Sequence, residues 1–264
     1  SRPVNTVVSL SDPRFGPKYA QRGLWEPVKF IEQPGDGLYF LEPYNPGKIP
    51  VLYVHGAGGY PQQWTEMINN LDRSRFQPWI LCYPSGLRLG LLGEFLEKYL
   101  AELQLRQDFQ KMFIVAHSMG GLISRSALNH QIEHRPSVFI KRLITIATPW
   151  QGHRAANRGI TQAPAVVPSW YDMIPESPFL QRLRHTALPE DIGFYLLFGY
   201  RGDANDQGEL NDGTVMLKSV LDDNMLNAAT GIYGFDETHV SLLSSQAVIK
   251  RVNQILAQDT LPPH

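Results

Sequence analysis

The sequence predicts an α/β fold, with one mostly parallel central sheet, helices on both of its faces and a short lid-like insertion after the sixth strand. Three observations carry this. Residues 51–54, 79–83, 113–115 and 143–146 are short, nearly continuous apolar runs, as expected of strands buried on both faces of a parallel sheet. Helical stretches alternate with them, which is the pattern of doubly wound sheets with right-handed crossovers. The chain has 264 residues, 43% apolar and 19% charged, which suits one large domain with a real core better than two small ones.

Taken in order, residues 1–22 are polar and broken by Pro13, Gly16 and Pro17, and read as an irregular arm. Residues 28–31 and 38–41 are candidate strands, separated from their neighbours by Gly35-Asp36-Gly37 and Pro46-Gly47. Helices are expected from Gln62 to about Asn70, from Leu91 to Leu103 and from Gly120 to His130; the second carries Leu92, Phe95, Leu96, Tyr99, Leu100 and Leu103 on one face. After Thr148-Pro149 the pattern weakens until about residue 190, the place for a lid or cap, with a short helix starting at Ser177-Pro178. A strand at 194–198 and a segment from Val240 to about Leu256 restore the pattern. The expected organisation is a single domain over residues 23–258, with the insertion at about 150–190 and a tail at 259–264.

The net charge of −1 and the lack of any Lys/Arg block argue against nucleic acid or an anionic membrane surface as partners. The apolar runs are too short to span a bilayer, which leaves peripheral contact with lipid open. Cys82 is the single cysteine, so no intrachain disulfide can form. The start, Ser1-Arg2-Pro3-Val4-Asn5, lacks the apolar stretch of a signal peptide and reads as a trimmed end; the compartment, cytoplasmic or cell envelope, stays open.

Ser118 is the candidate nucleophile. It lies in Ala116-His117-Ser118-Met119-Gly120-Gly121, at the switch from the strand-like Phe113-Ile114-Val115 to a helix-like segment. A tight strand-to-helix turn strains the serine backbone and lifts its hydroxyl above the sheet. The positions two residues before and after must then be small, and they are Ala116 and Gly120. Ser118 as a plain helix cap is the competing reading.

His55-Gly56-Ala57-Gly58-Gly59 follows the 51–54 run, where a glycine-rich turn frees backbone amides. With the amide after the nucleophile, it predicts an oxyanion hole made by Ala57 and Met119. A phosphate loop is excluded because no Lys-Ser/Thr follows and the G-x-G-x-x-G spacing is absent. His55 is expected to hold this loop.

The base should come last in the chain, with the acid before it. His130 and His134 come too early and His264 is the terminus, whereas His239 precedes the last amphipathic segment; His153 and His185 also follow Ser118. Asp212, in Leu210-Asn211-Asp212-Gly213, is the expected acid because Asp-Gly makes a tight turn that can aim a carboxylate. Asp203, Asp206 and Glu209 are rivals, and Asp236 is close to His239. Residues 203–208 faintly suggest a calcium loop, but position twelve is Thr214, not a bidentate Glu; no metal or cofactor is expected.

These motifs, together with Ala147-Thr148-Pro149 and Thr238-His239, resemble those of bacterial lipases and esterases of the α/β-hydrolase superfamily over about residues 48–258. The Ala-x-Ser-x-Gly elbow is similar to that of small Bacillus-type lipases. The Thr-Pro segment and Ser177-Pro178-Phe179-Leu180 resemble the lipases related to GPI inositol deacylases and lecithin–cholesterol acyltransferases. Trp150-Gln151-Gly152 departs from the small residues usual after Thr-Pro. The resemblance implies the α/β-hydrolase fold and hydrolysis of a small ester or a lipid through an acyl-enzyme. Thioesterase, amidase, peptidase or acyltransferase chemistry on the same triad, or a non-catalytic scaffold, are the alternatives. Apolar residues around the insertion (Val166, Val167, Trp170, Tyr171, Met173, Ile174, Phe179, Leu180) suggest an acyl pocket, and His55, Trp150, Trp170, Tyr171 and Phe179 are the expected substrate contacts.

Overall fold

A computed structural model describes residues 4–32, 35–163, 166–203 and 208–259. The elements run β1 (Val4–Val7), α1 (Pro17–Trp25), α2 (Pro27–Ile31), β2 (Gly37–Phe40), β3 (Ile49–Val54), α3 (Thr65–Asn69), β4 (Phe76–Cys82), α4 (Leu89–Gln107), β5 (Met112–His117), α5 (Met119–His134) and β6 (Ile140–Ile146). The insertion follows with α6 (Arg154–Gln162), α7 (Ser169–Met173) and α8 (Pro178–His185). The chain then continues through β7 (Gly193–Gly199), α9 (Leu217–Val220), α10 (Asp223–Ala228), β8 (Gly231–Phe235) and α11 (Gln246–Ala257).

The eight strands form one sheet in the order β1-β2-β4-β3-β5-β6-β7-β8. All neighbours are parallel except β2 and β4. The apolar runs explain the layers. In β3, Leu52 and Val54 pack with the α4 and α5 side chains Leu92, Leu96, Leu122 and Ile123 on one face. Val51 and Tyr53 pack on the other face with Met67, Ile68, Val248, Val252 and Ile255 from α3 and α11. A strand alternates its side chains between faces, so a run apolar at every position demands cover on both sides.

Three expectations are corrected. Residues 28–31 are not a strand but the one-turn helix α2, whose Pro27 sits at the first helical position, where its missing N–H costs nothing. Only Phe30 of that segment is buried, while Val28 is exposed, a one-sided pattern. Within the segment expected to be irregular, β1 pairs with β2 at the sheet edge. α1 starts at Pro17 after Gly16 and buries Ala20 and Gly23. The same prolines that read as breakers are helix starters here. β1 replaces the misread strand, so β6 is still the sixth.

The insertion is tied to the start of α4 by polar contacts and to α1 by an aromatic one. Asp172 of α7, only 3% exposed, accepts from the Arg88 guanidinium at 2.6 and 3.0 Å and from the Leu89 amide at 2.6 Å, which caps α4. Ser177 caps α8 by accepting from Leu180 N at 3.3 Å. Trp25 of α1 meets Trp170 of α7 edge-on, with ring centroids 5.7 Å apart. No helix among the described residues is long and apolar enough to cross a membrane.

Candidate active site

The site lies beyond the C-terminal ends of the parallel strands, where doubly wound sheets place their ligands. β5 runs directly into α5, and Ser118 occupies the turn with φ 53° and ψ −128°. This backbone region is costly for a residue with a Cβ, of order 1–3 kcal/mol, and persists only where the surroundings enforce it. Here they do: Ser118 N donates to Ile146 O at 2.8 Å and Gly121 N donates to Ser118 O at 3.0 Å. The tightness of the turn also explains its glycines. A Cβ on Gly120 would lie 2.4 Å from the His55 carbonyl oxygen, and one on Gly121 would lie 2.0 Å from Thr148 Oγ1. Ala147, also at positive φ (53°), turns the chain after β6 so that Thr148 meets α5.

The glycine-rich loop after β3 presses against this turn. A Cβ on Gly56 would lie 2.9 Å from Ser118 Cβ. Gly59 N donates to Gly56 O at 3.1 Å, Gly58 has φ +62°, and Gly58 N donates to Ser85 Oγ at 3.0 Å. Among the described residues, the amides of Ala57 and Met119 donate to no protein group. Met119 is the first residue of α5, so its amide carries the positive end of the helix dipole.

Asp212 and His239 meet at the same place. His239 Nδ1 and Asp212 Oδ2 are 2.7 Å apart, and His239 N donates to Asp212 O at 2.8 Å, so side chain and main chain fix the pair together. Asp212 is 1% and His239 7% exposed. Burial works against the Asp212 carboxylate, but the hydrogen bond and charge of His239, helped by the amides of Val215 and Thr214, hold it below its ordinary range. Those amides donate to Asp212 Oδ1 at 2.7 and 3.0 Å, so the Asp-Gly turn does aim the carboxylate. β8, with its two glycines and no readable strand pattern, delivers the His239 loop at the sheet edge.

Of the rival acids, Glu209 is held by Arg154 (2.9 Å) and Lys218 (2.5 Å), and Asp236 pairs with Arg201 at the surface (3.1 Å). Asp203 contributes its carbonyl to Asn211 Nδ2, and Asp206, with most of the 203–208 segment, lies outside the described residues.

Ser118 and His239 line one cavity of about 330 Å³, shared with Ala57, His153, Trp170 and Met173. No hydrogen bond joins Ser118 Oγ to His239 among the described residues. Such contacts are commonly long in unliganded sites and tighten on binding. Of the five expected substrate contacts, only Trp170 lines this cavity. Trp150 is fully buried with its ring 5.6 Å from Phe194. His55 is buried against Tyr83 (ring centroids 4.2 Å apart), its Nδ1 on Gly56 O at 2.9 Å, so it braces the loop. Tyr171 is exposed beside Arg88, and Phe179 lines a different cavity, between α4, α5 and α8.

The bracing roles of two histidines escaped sequence reasoning. His117, next to Ser118, places Nε2 2.9 Å from the His239 carbonyl oxygen, with the two rings 4.6 Å apart, and so ties the Ser118 turn to the His239 loop. His153 caps α6, accepting from Ala155 N at 3.1 Å on Nδ1 and donating to Thr214 O at 2.7 Å from Nε2. Neither long-range contact has a sequence signal, because the His239 and Thr214 carbonyls are backbone groups distant in the chain.

Burial makes His55 and His117 acid-sensitive. Desolvation lowers them to about 4 and about 3 respectively, from 6.5. Below pH 6.5 the unfolded chain therefore binds protons that the folded chain refuses. The stabilisation is complete above 6.5 and is lost as pH falls toward the folded values. Linkage puts this at about 2 kcal/mol per histidine by pH 5, an order-of-magnitude figure. Denaturant unfolding at pH 7.5 and pH 5 should show a loss of roughly 4 kcal/mol; an unchanged midpoint would mean that neither ring is kept neutral by burial.

Known proteins can now be set beside this geometry. A family model described as "PGAP1-like alpha/beta domain" matches residues 86–170, the stretch from before α4 into the insertion. No curated protein matches the chain. Among solved structures, the mature form of Bacillus licheniformis lipase BlEst2 is similar at TM-score 0.64 and 18% identity, covering 83% of this chain and 97% of that one. The lin2722 gene product of Listeria innocua is similar at 0.62 and 16%, covering 81% and 97%. Aspergillus fumigatus lipase B is similar at 0.65 and 15%, covering 88% and 61%. Together with the sheet order and the single antiparallel strand, these likenesses establish that the chain has the α/β-hydrolase fold.

Proposed function

We propose that the chain is a serine hydrolase of carboxylic esters, with Ser118 as nucleophile, His239 as base and Asp212 as its partner. The observation that carries the reading is the buried 2.7 Å contact of His239 with Asp212, opening on the cavity that holds the strained Ser118. The likeness to two lipases supports it.

His239 Nδ1–H points at Asp212, which leaves Nε2 to take the proton of Ser118 Oγ. Oγ attacks the ester carbonyl carbon, and the oxyanion that forms is held by the amides of Ala57 and Met119. The C–O bond breaks, His239 returns its proton to the leaving alcohol, and an acyl-Ser118 ester remains. A water deprotonated by His239 then attacks this ester, and the acid leaves with Ser118 restored. Each amide contributes about 3 kcal/mol of barrier lowering. Ala155, Ala156, Trp170, Met173, Val215 and Val240 give the cavity its apolar wall, fitted to an acyl chain.

A panel of p-nitrophenyl esters beside matched anilides tests the reading. Ester turnover with a pre-steady-state burst of p-nitrophenol is the expected result. Anilide turnover far above ester turnover would replace it with an amidase.

A further inference from the structure

The cavity that holds Ser118 is bordered by one face of α6. Ala155 and Ala156 line it. Gly159, one helix turn further on, continues that face, because residues three and four apart lie above one another. At Gly159 the indole of Trp170 covers the helix and forms the wall of the cavity. A Cβ on Gly159 would lie 2.7 Å from Trp170 Cε3 and 2.8 Å from Cζ3, too close for any side chain, so the ring rests directly on the α6 backbone. Beyond the ring the same face carries Ile160 and Ala163, both half-buried.

Trp170 is held from several sides. Ser169 N donates to Gly86 O at 3.0 Å, and the Asp172 carboxylate accepts from the Arg88 guanidinium and the Leu89 amide. α7 is therefore pinned on either side of Trp170. The Trp25 ring meets the indole edge-on, with the planes at 89°, a favoured aromatic arrangement. A ring backed by main chain, flanked by a second ring and carried on a pinned helix is a rigid wall. A cavity of about 330 Å³ is small for a ligand site, which commonly measures 300–1,000 Å³. It must also hold the ester group at Ser118 beside any chain.

We propose that Trp170 sets the length of the apolar chain that the site accepts, which makes the protein an esterase of short-chain esters. The inference rests on the ester-hydrolase reading and names its substrate class. A chain growing from the ester group passes Ala155 and Ala156 and stops against the indole. Removing the ring would open the α6 face over Gly159 toward Ile160 and Ala163, a gain of about one helix turn, or about 5.4 Å. The added length is apolar, so further methylenes would be buried there rather than left in water.

The test is a chain-length series read as a ratio of kcat/KM values, which does not depend on the active fraction of a preparation. Wild type should cleave p-nitrophenyl butyrate better than the octanoate by roughly tenfold or more. Trp170→Ala should shift that ratio toward the octanoate by about 100-fold, since each newly buried methylene contributes a factor of about four. Trp170→Phe keeps a smaller ring and should fall between the two; it also carries the test if a lowered melting temperature shows that the alanine variant does not fold. A graded shift with ring size marks a wall, whereas a merely structural residue would lower all chain lengths together. A parallel series of alkyl acetates, from ethyl to octyl, identifies the chain concerned: a length limit that appears and moves in that series places the alcohol chain against Trp170, and one confined to the p-nitrophenyl series places the acyl chain there. A wild type with no length limit in either series would overturn the proposal, as would a limit that stays in place in both folded variants. Failure to cleave even p-nitrophenyl acetate would instead overturn the hydrolase reading, so the two failures are distinguishable.

Discussion

Replacing Ser118 by alanine is expected to lower kcat by about 10⁶-fold, to a rate set only by the remaining oxyanion amides and binding. Labelling by a fluorophosphonate probe should vanish with it. The change deletes one oxygen and leaves every described main-chain contact of the turn in place, including Ser118 N to Ile146 O. Alanine inherits the same strained φ of 53°, so folding stability should move little. Activity and stability therefore separate, and a calorimetric scan beside the rate measurement checks the separation. Retained labelling in Ser118→Ala would assign the nucleophile to another residue.

The reason the strained turn at Ser118 could be read from the sequence lies in its neighbours. A serine flanked by Ala116 and Gly120 is common, but here a buried strand precedes it and a helix follows it, and only a tight turn joins the two. The clash distances show why the small residues are there: α5 approaches the backbone of the β3 loop too closely for any side chain at Gly120. That His239 and Asp212 meet was legible from chain order and from the Asp-Gly turn. What the sequence hid is what depends on packing between distant segments. Trp150 and Trp170 are alike in sequence context, but one is sealed against Phe194 while the other lines the cavity. β8 escaped because Gly231 and Gly234 break its apolar pattern, and it is held by parallel pairing to β7. The N-terminal helix escaped because Pro17 at a helix start and proline as a breaker look the same in one dimension.

Replacing Asp212 by asparagine is expected to lower kcat by roughly 10³- to 10⁴-fold, the second largest effect. The amides of Thr214 and Val215 already donate to Oδ1, so an asparagine keeps them by presenting its carbonyl oxygen there. Its NH₂ group then faces His239 Nδ1 and donates to it. That reverses the tautomer: Nδ1 becomes the acceptor, Nε2 carries the proton, and the ring can no longer take one from Ser118. The main-chain bond from His239 N to Asp212 O at 2.8 Å is untouched, so the loop should keep its place. The signature is a collapse of kcat with KM nearly unchanged and a melting temperature close to wild type. Glu209→Gln provides the contrast, because that carboxylate is engaged with Arg154 and Lys218 rather than with a histidine; activity on a neutral ester should stay near wild type. If Asp212→Asn is active while Asp206→Asn or Glu209→Gln is crippled, His239 takes its orientation from a different carboxylate, and the short Asp212 contact serves the fold alone.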